Sequence, residues 1–126
     1  MLSGKWRNER GSEMLLRLEG LNISGTYTTR IGDDRAKDID VPLVGLASGE
    51  LVGFVVCWPE ASSLTSWAGR LVRDESPDGE TWSLHTVWHF ARQELPGDPP
   101  RTTQVWDTFL TNSSVFRKIR DKTGIP

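Results

Sequence analysis

Apolar and polar residues alternate with a period of two along most of the chain, in runs of strand length bounded by turn residues. Trp6 and Asn8 share a parity within Gly4-Lys5-Trp6-Arg7-Asn8, and Arg10-Gly11 turns the chain. Ser12, Met14, Leu16 and Leu18 form the next row, with Glu13 and Arg17 on the opposite face. Beyond the turn Glu19-Gly20-Leu21-Asn22, the row is Gly25, Tyr27 and Thr29. The polar run from Gly32 to Asp38 predicts a long loop, and Val41 to Leu46 a short strand. Ala47-Ser48-Gly49-Glu50 is a hairpin turn into Leu51–Trp58, the most apolar strand, where Phe54, Val56 and Trp58 align. Ser63 to Arg73 pairs back on it and sets Ser63, Thr65 and Trp67 in one row. After the turn Ser76-Pro77-Asp78-Gly79, one face carries Trp82, Leu84, Thr86, Trp88 and Phe90, and the other Ser83, His85 and His89. Glu94 to Pro100 interrupts regular structure. Gln104 to Thr111 reads as the last strand, with Val105, Asp107 and Phe109 inward, and Val115 to Lys122 as a turn of helix.

Eight short strands with one apolar face predict an all-β fold, an eight-stranded antiparallel up-and-down β-barrel over residues 1–111, with a C-terminal tail at 112–126. A two-sheet sandwich is the alternative with the same pattern. The inward polar residues Asn8, Ser12, Tyr27, Thr29, Ser63, Thr65, Thr86 and Asp107 fall towards one end of their strands. Met14, Leu16, Leu18, Phe54, Leu71, Leu84 and Phe109 fall towards the other. That division predicts a dry floor and a polar mouth. Hydroxyls on an inward face have no place in a sealed apolar core unless something bonds to them. Beside Trp58 and Trp67 they suit a small ligand with an apolar body and a few polar atoms.

The remaining features narrow the reading. The 126 residues fit one domain with a real core. Net charge is −2 with both signs interspersed, so no basic stripe suggests nucleic acid, and no apolar run suggests a membrane span. Cys57 is the one cysteine, which leaves no disulfide within a chain. His85 and His89 point away from the predicted cavity, so no inward histidine is there to activate a serine. No His, Asp or Glu spacing predicts a metal site, and the expectation is a binding protein with no cofactor, not an enzyme. Met1-Leu2-Ser3-Gly4 leads into the first strand with no secretion signal before it.

Gly4-Lys5-Trp6-Arg7-Asn8-Glu9-Arg10-Gly11-Ser12, Gly25-Thr26-Tyr27-Thr28-Thr29, Trp58 with Ser63-Leu64-Thr65-Ser66-Trp67-Ala68-Gly69, Thr86-Val87-Trp88 and Asp107-Thr108-Phe109 resemble the avidin and streptavidin family. The resemblance runs from Leu2 to about Leu110, with five segments in order and parity. It implies a secreted or periplasmic protein that holds biotin without covalent chemistry and sequesters it. By resemblance, Asn8, Ser12 and Tyr27 donate to the ureido oxygen, while Thr29 and Asp107 accept the two ureido N–H groups. Thr65 lies by the sulfur, and Ser63 with the backbone N–H of Asp33 meets the valerate carboxylate. Trp58, Trp67, Trp88 and Phe90 enclose the ring system and chain, with Ile31 and Ala61 completing the set.

Some positions depart from the family pattern. Arg10 stands where an apolar leucine is usual, and Asp33 and Glu60 bring acidic groups to the valerate end. The tryptophan that tetrameric members lend to a neighbour is missing from Asp98-Pro99-Pro100-Arg101-Thr102-Thr103. Outward Val55, Cys57, Val87 and Trp106 suggest a subunit contact. The expected assembly is a homo-oligomer, a dimer before a tetramer or higher form. A lipocalin-like carrier of another small hydrophobic ligand would also explain Gly4-Lys5-Trp6 and the barrel, but gives no reason for Asn8, Ser12, Tyr27 and Asp107 together.

Overall fold

A computed structural model describes residues 1–29, 39–58, 63–77, 79–93 and 109–119. Its strands are β1 (Gly4–Asn8), β2 (Glu13–Glu19), β3 (Asn22–Thr29), β4 (Ile39–Ser48), β5 (Leu51–Trp58), β6 (Ser63–Ser76), β7 (Gly79–Arg92) and β8 (Phe109–Lys118). Each pairs antiparallel with the next, and β8 returns to β1, which makes a closed barrel. The expected architecture is therefore the one found, and closure removes the free edges that a sandwich would keep.

Alternation explains why the strands curl into this shape. Trp6, Met14, Leu16, Ile23, Leu43, Phe54, Val56, Leu84 and Phe116 are buried inside, while their sequence neighbours on the outer face carry most of the charge. Trp6 is fully enclosed, and its indole N–H is satisfied by the Leu2 carbonyl at 2.9 Å. Gly25 serves the curvature of β3, since a Cβ there would lie 1.8 Å from the Leu15 carbonyl oxygen on β2. Outside, Glu13 is held by Arg7 at 2.8 Å and Lys5 at 3.3 Å. Desolvation favours its neutral form, but the hydrogen bonds and charges of Arg7 and Lys5 outweigh it and keep the carboxyl below its ordinary pKa.

The C-terminal end differs from the sequence expectation. Among the described residues the last strand is Phe109–Lys118, which runs past the expected end at Thr111; 104–108 lie outside the described residues. Val115 to Lys118 is therefore strand and not helix, and residues 112–118 belong to the barrel wall and not to a tail. The ladder with β7 sets Leu84 opposite Phe116, Thr86 opposite Ser114 and Trp88 opposite Asn112. Inward parity on β8 thus belongs to Ser114 and Phe116, both buried. Phe116 takes the floor position expected of Phe109, which instead pairs with Ala91 at the first rung of the ladder.

Candidate ligand-binding site

β1 and β3 end, and β6 begins, at one rim of the barrel, where β5 and β7 also end. Below that rim lies a cavity of about 370 Å³, lined by Asn8, Arg10, Ser12, Tyr27, Thr29, Trp58, Thr65, Trp67, Trp88, Phe90 and Ser114. Its volume is in the range that small-molecule sites occupy. Nine of these are residues the sequence pattern assigned to the site, and they come from five different strands and one turn.

The aromatic side chains form the body of the site. Phe54 stacks on Trp67 with centroids 5.0 Å apart and planes at 17°, and Tyr27 stacks on Trp67 at 5.0 Å and 30°. Tyr27 also meets Trp58 edge-on at 5.7 Å and Phe116 edge-on at 6.3 Å. Such contacts fix ring orientation beyond what area burial alone provides. The Trp58 indole N–H donates to Thr65 Oγ1 at 2.9 Å, so the Trp58–Trp67 stretch does aim two indoles and a hydroxyl at one space. Ser63 is paired with Trp58 at the rim, and its Oγ is buried with no hydrogen-bond partner among the described residues. A buried hydroxyl left unpaired carries a desolvation cost that a bound polar group would relieve.

The polar pole is built at the β1–β2 turn. Asn8 Oδ1 accepts from the backbone N–H of Arg10 and of Ser12, each at 3.0 Å, an Asx-turn arrangement that Gly11 completes at φ 86°. With its oxygen committed, the Asn8 amide nitrogen is the part of the side chain left to donate. Burial raises the Tyr27 phenol above its ordinary pKa. Hydrogen bonds with Ser12 and Asn8 oppose that shift, so these three polar groups sit together. Arg10 does not fill the cavity: its guanidinium lies over the Trp88 ring, 5.8 Å from the centroid, a cation–π seat at the wall.

Sequence alternation missed two residues of this region. Ser114 lines the cavity, and its hydroxyl donates to the Glu9 carboxylate at 3.1 Å. Glu9 also accepts from the Val115 backbone N–H at 3.1 Å. Desolvation acts to raise the Glu9 pKa, but backbone hydrogen bonds, the Ser114 hydroxyl and the Arg10 charge hold it below the usual carboxylate value. Within the described part of β8, Ser114 is the inward residue at the cavity, opposite Thr86 of β7. Ile31, Asp33, Ala61 and Asp107 lie outside the described residues. His85 and His89 are exposed on the outer wall, and no cluster of His, Cys, Asp or Glu among the described residues could hold a metal ion.

The comparisons with known proteins converge on one family. The model of the Avidin family matches residues 1–119. Afifavidin from Afifella pfennigii is 33% identical over 97 residues, covering 73% of this chain and 58% of the relative. Avidin-related protein 4/5 from Gallus gallus is 33% identical over 93 residues, covering 69% of this chain and 60% of the relative. The matches therefore span about three-fifths of the length of these two relatives. Among solved structures, the short afifavidin–biotin complex superposes with a TM-score of 0.70 at 26% identity, covering 94% of this chain and 90% of that one. On sequence, barrel topology and the arrangement of its cavity, the chain belongs to the avidin family.

Proposed function

We propose that the cavity binds biotin without covalent chemistry. The observation that carries this reading is the gathering of Asn8, Ser12 and Tyr27 at one pole of a cavity otherwise walled by Trp58, Trp67, Trp88 and Phe90. Three donors aimed at one ureido oxygen favour its charge-separated resonance form, as a preorganised oxyanion site does. Thr29 accepts one ureido N–H, and the family pattern gives the other to Asp107. Thr65 faces the sulfur. The unpaired Ser63 hydroxyl at the rim meets the valerate carboxylate, together with the backbone N–H of Asp33. Ile31 and Ala61 complete the enclosure. The relative's solved biotin complex supports the same ligand class. The role that follows is sequestration of free biotin in a secreted or periplasmic setting.

Calorimetric titration with biotin tests the reading. Saturation at one site per chain is expected, together with a rise in melting temperature from binding to the native state alone. Absence of both would overturn it and favour a carrier of a different hydrophobic ligand.

The outer wall supports self-association. Val44, Val55, Ser66, His89 and Thr111 lie in one row across β4–β8, and Leu46, Gly53, Ala68, Val87 and Ser113 in the next. Val44 and Leu46 are 58% and 62% exposed, an apolar concentration that a solvated wall would not retain. A dimer formed through this wall is expected. Val87→Glu should halve the mass measured by light scattering, and an unchanged mass would place the contact elsewhere.

A further inference from the structure

The charge on the cavity wall bears on which form of the ligand is held, a consequence that rests on the biotin reading. Among the described residues that line the cavity, Arg10 is the one with a charge; the others carry aromatic, hydroxyl or amide side chains. It stands in the β1–β2 turn at the rim. The turn backbone is held at two points. The Arg10 N–H donates to Asn8 Oδ1 at 3.0 Å, and the Gly11 N–H donates to the Asn8 carbonyl at 3.1 Å. The guanidinium then rests over Trp88, 5.8 Å from the ring centroid. A cation–π seat holds a guanidinium through its charge and needs none of its N–H donors. No hydrogen bond or ion pair to that guanidinium occurs among the described residues. The adjacent carboxylate, Glu9, does not line the cavity and is committed to Ser114 and Val115 of β8. The Arg10 charge is felt nearby: it helps to hold Glu9 below its ordinary pKa and works against the rise at Tyr27. The same field acts on any charged ligand in the cavity.

Biotin is an anion through its valerate carboxylate, which the biotin reading places at this rim beside Ser63. Biotin joined to an amine through that carboxylate is an amide and has lost the charge. We propose that Arg10 is a specificity-determining residue, a cation at the cavity mouth through which the site prefers free, anionic biotin to neutral, amide-linked biotin. Arg10 acts across the mouth by its charge, while the hydrogen bonds of the carboxylate stay with Ser63 and the backbone N–H of Asp33. Opposite unit charges about 10 Å apart, at the intermediate dielectric of a protein surface, shift an equilibrium constant roughly threefold to tenfold. The attraction also works on a ligand still approaching the mouth. Without Arg10, the charge left in this turn is that of Glu9, which repels a carboxylate.

The test compares biotin with biotinamide, its neutral carboxamide, on the native protein, Arg10→Gln and Arg10→Lys. Association and dissociation rates of both ligands give the preference for biotin on each protein. Taking that preference as a ratio cancels what the carboxylate gains from Ser63 and what each substitution does to packing on Trp88. Arg10 is exposed in a turn, so its replacement leaves the core rows intact, and melting temperatures check this. The preference should fall about threefold to tenfold in Arg10→Gln. It should persist in Arg10→Lys, which keeps the charge and loses the planar group. The difference between the native protein and Arg10→Gln should shrink as salt is raised, because this charge pair lies near solvent. An equal preference in the native protein and Arg10→Gln would overturn the proposal. So would a difference that salt does not reduce, and so would an Arg10→Lys variant that behaves as Arg10→Gln, since the effect would then belong to shape and not to charge. If the native protein binds neither ligand, the biotin reading itself fails. If it binds both with the same preference in every variant, the ligand stands and only the role of Arg10 falls.

Discussion

Trp88→Ala is expected to weaken biotin binding by about 2–4 kcal/mol, the loss that accompanies truncation of a central aromatic anchor in an enclosed site. Trp88 lies on β7 opposite Trp67, inside the cavity, and its far wall is occupied by the Arg10 guanidinium. Truncation removes apolar contact with the ligand and also the ring on which Arg10 rests. The freed guanidinium would then face a wetter cavity and admit water to the hydrogen bonds at the polar pole. Trp88→Phe should retain much of the contact area and lose less. The measurement is the ratio of biotin dissociation rates, with melting temperatures recorded alongside to confirm that each barrel is intact. An unchanged rate in Trp88→Ala would mean that the ligand occupies a different space.

Phe116→Ala is expected to destabilise the fold by about 3–5 kcal/mol, as the removal of a fully buried phenylalanine does when the surrounding wall cannot collapse into the gap. Phe116 has no exposed surface, meets Tyr27 edge-on, and stands on β8 between Leu84 of β7 and Asn8 of β1. It therefore supports the seam at which the barrel closes and the floor beneath the cavity. Urea unfolding should show a lower midpoint with little change in slope. A loss below about 1 kcal/mol would mean that β8 is dispensable for closure, contrary to its pairing with both β7 and β1. Biotin affinity should fall as well, through the loosened Tyr27 ring, although Phe116 itself does not line the cavity.

Alternation alone was sufficient for seven strands, because Trp6, Met14, Tyr27, Leu43, Phe54, Trp67 and Leu84 each anchor an apolar row that only one register can bury. It was not sufficient for the eighth. Asp107-Thr108-Phe109 and Ser114-Val115-Phe116 share one pattern, a polar residue two places before a phenylalanine. Of the two, only Ser114-Val115-Phe116 falls wholly within the described residues, where pairing with β7 sets Phe116 opposite Leu84 and Ser114 opposite Thr86. No local signal carries that information, and the serine- and asparagine-rich run from Asn112 to Ser114 reads locally as a tail. Glu9 was hidden for a different reason. It lies in a turn, where period two no longer decides which way a side chain points, and its partner Ser114 is 105 residues away. The gathering of Asn8, Ser12 and Tyr27 was legible because each sits at or beside a strand end, on a parity that its neighbours fix.

The seam between β1 and β8 also governs how this protein can be made. β1 is the first barrel strand to leave the ribosome and β8 the last, with the order of a hundred residues between them, so the first edge waits for the rest of the barrel before its partner arrives. Long-range pairing of this kind is slow even in a finished chain. During that wait β1 is an unpaired edge open to other nascent chains. Its five residues are short for such a template, and Lys5 and Arg7 place two like charges along it, which disfavours pairing with a copy of itself. Glu13 then pairs with both when β2 arrives, so the charges that guard the edge early become part of the wall later.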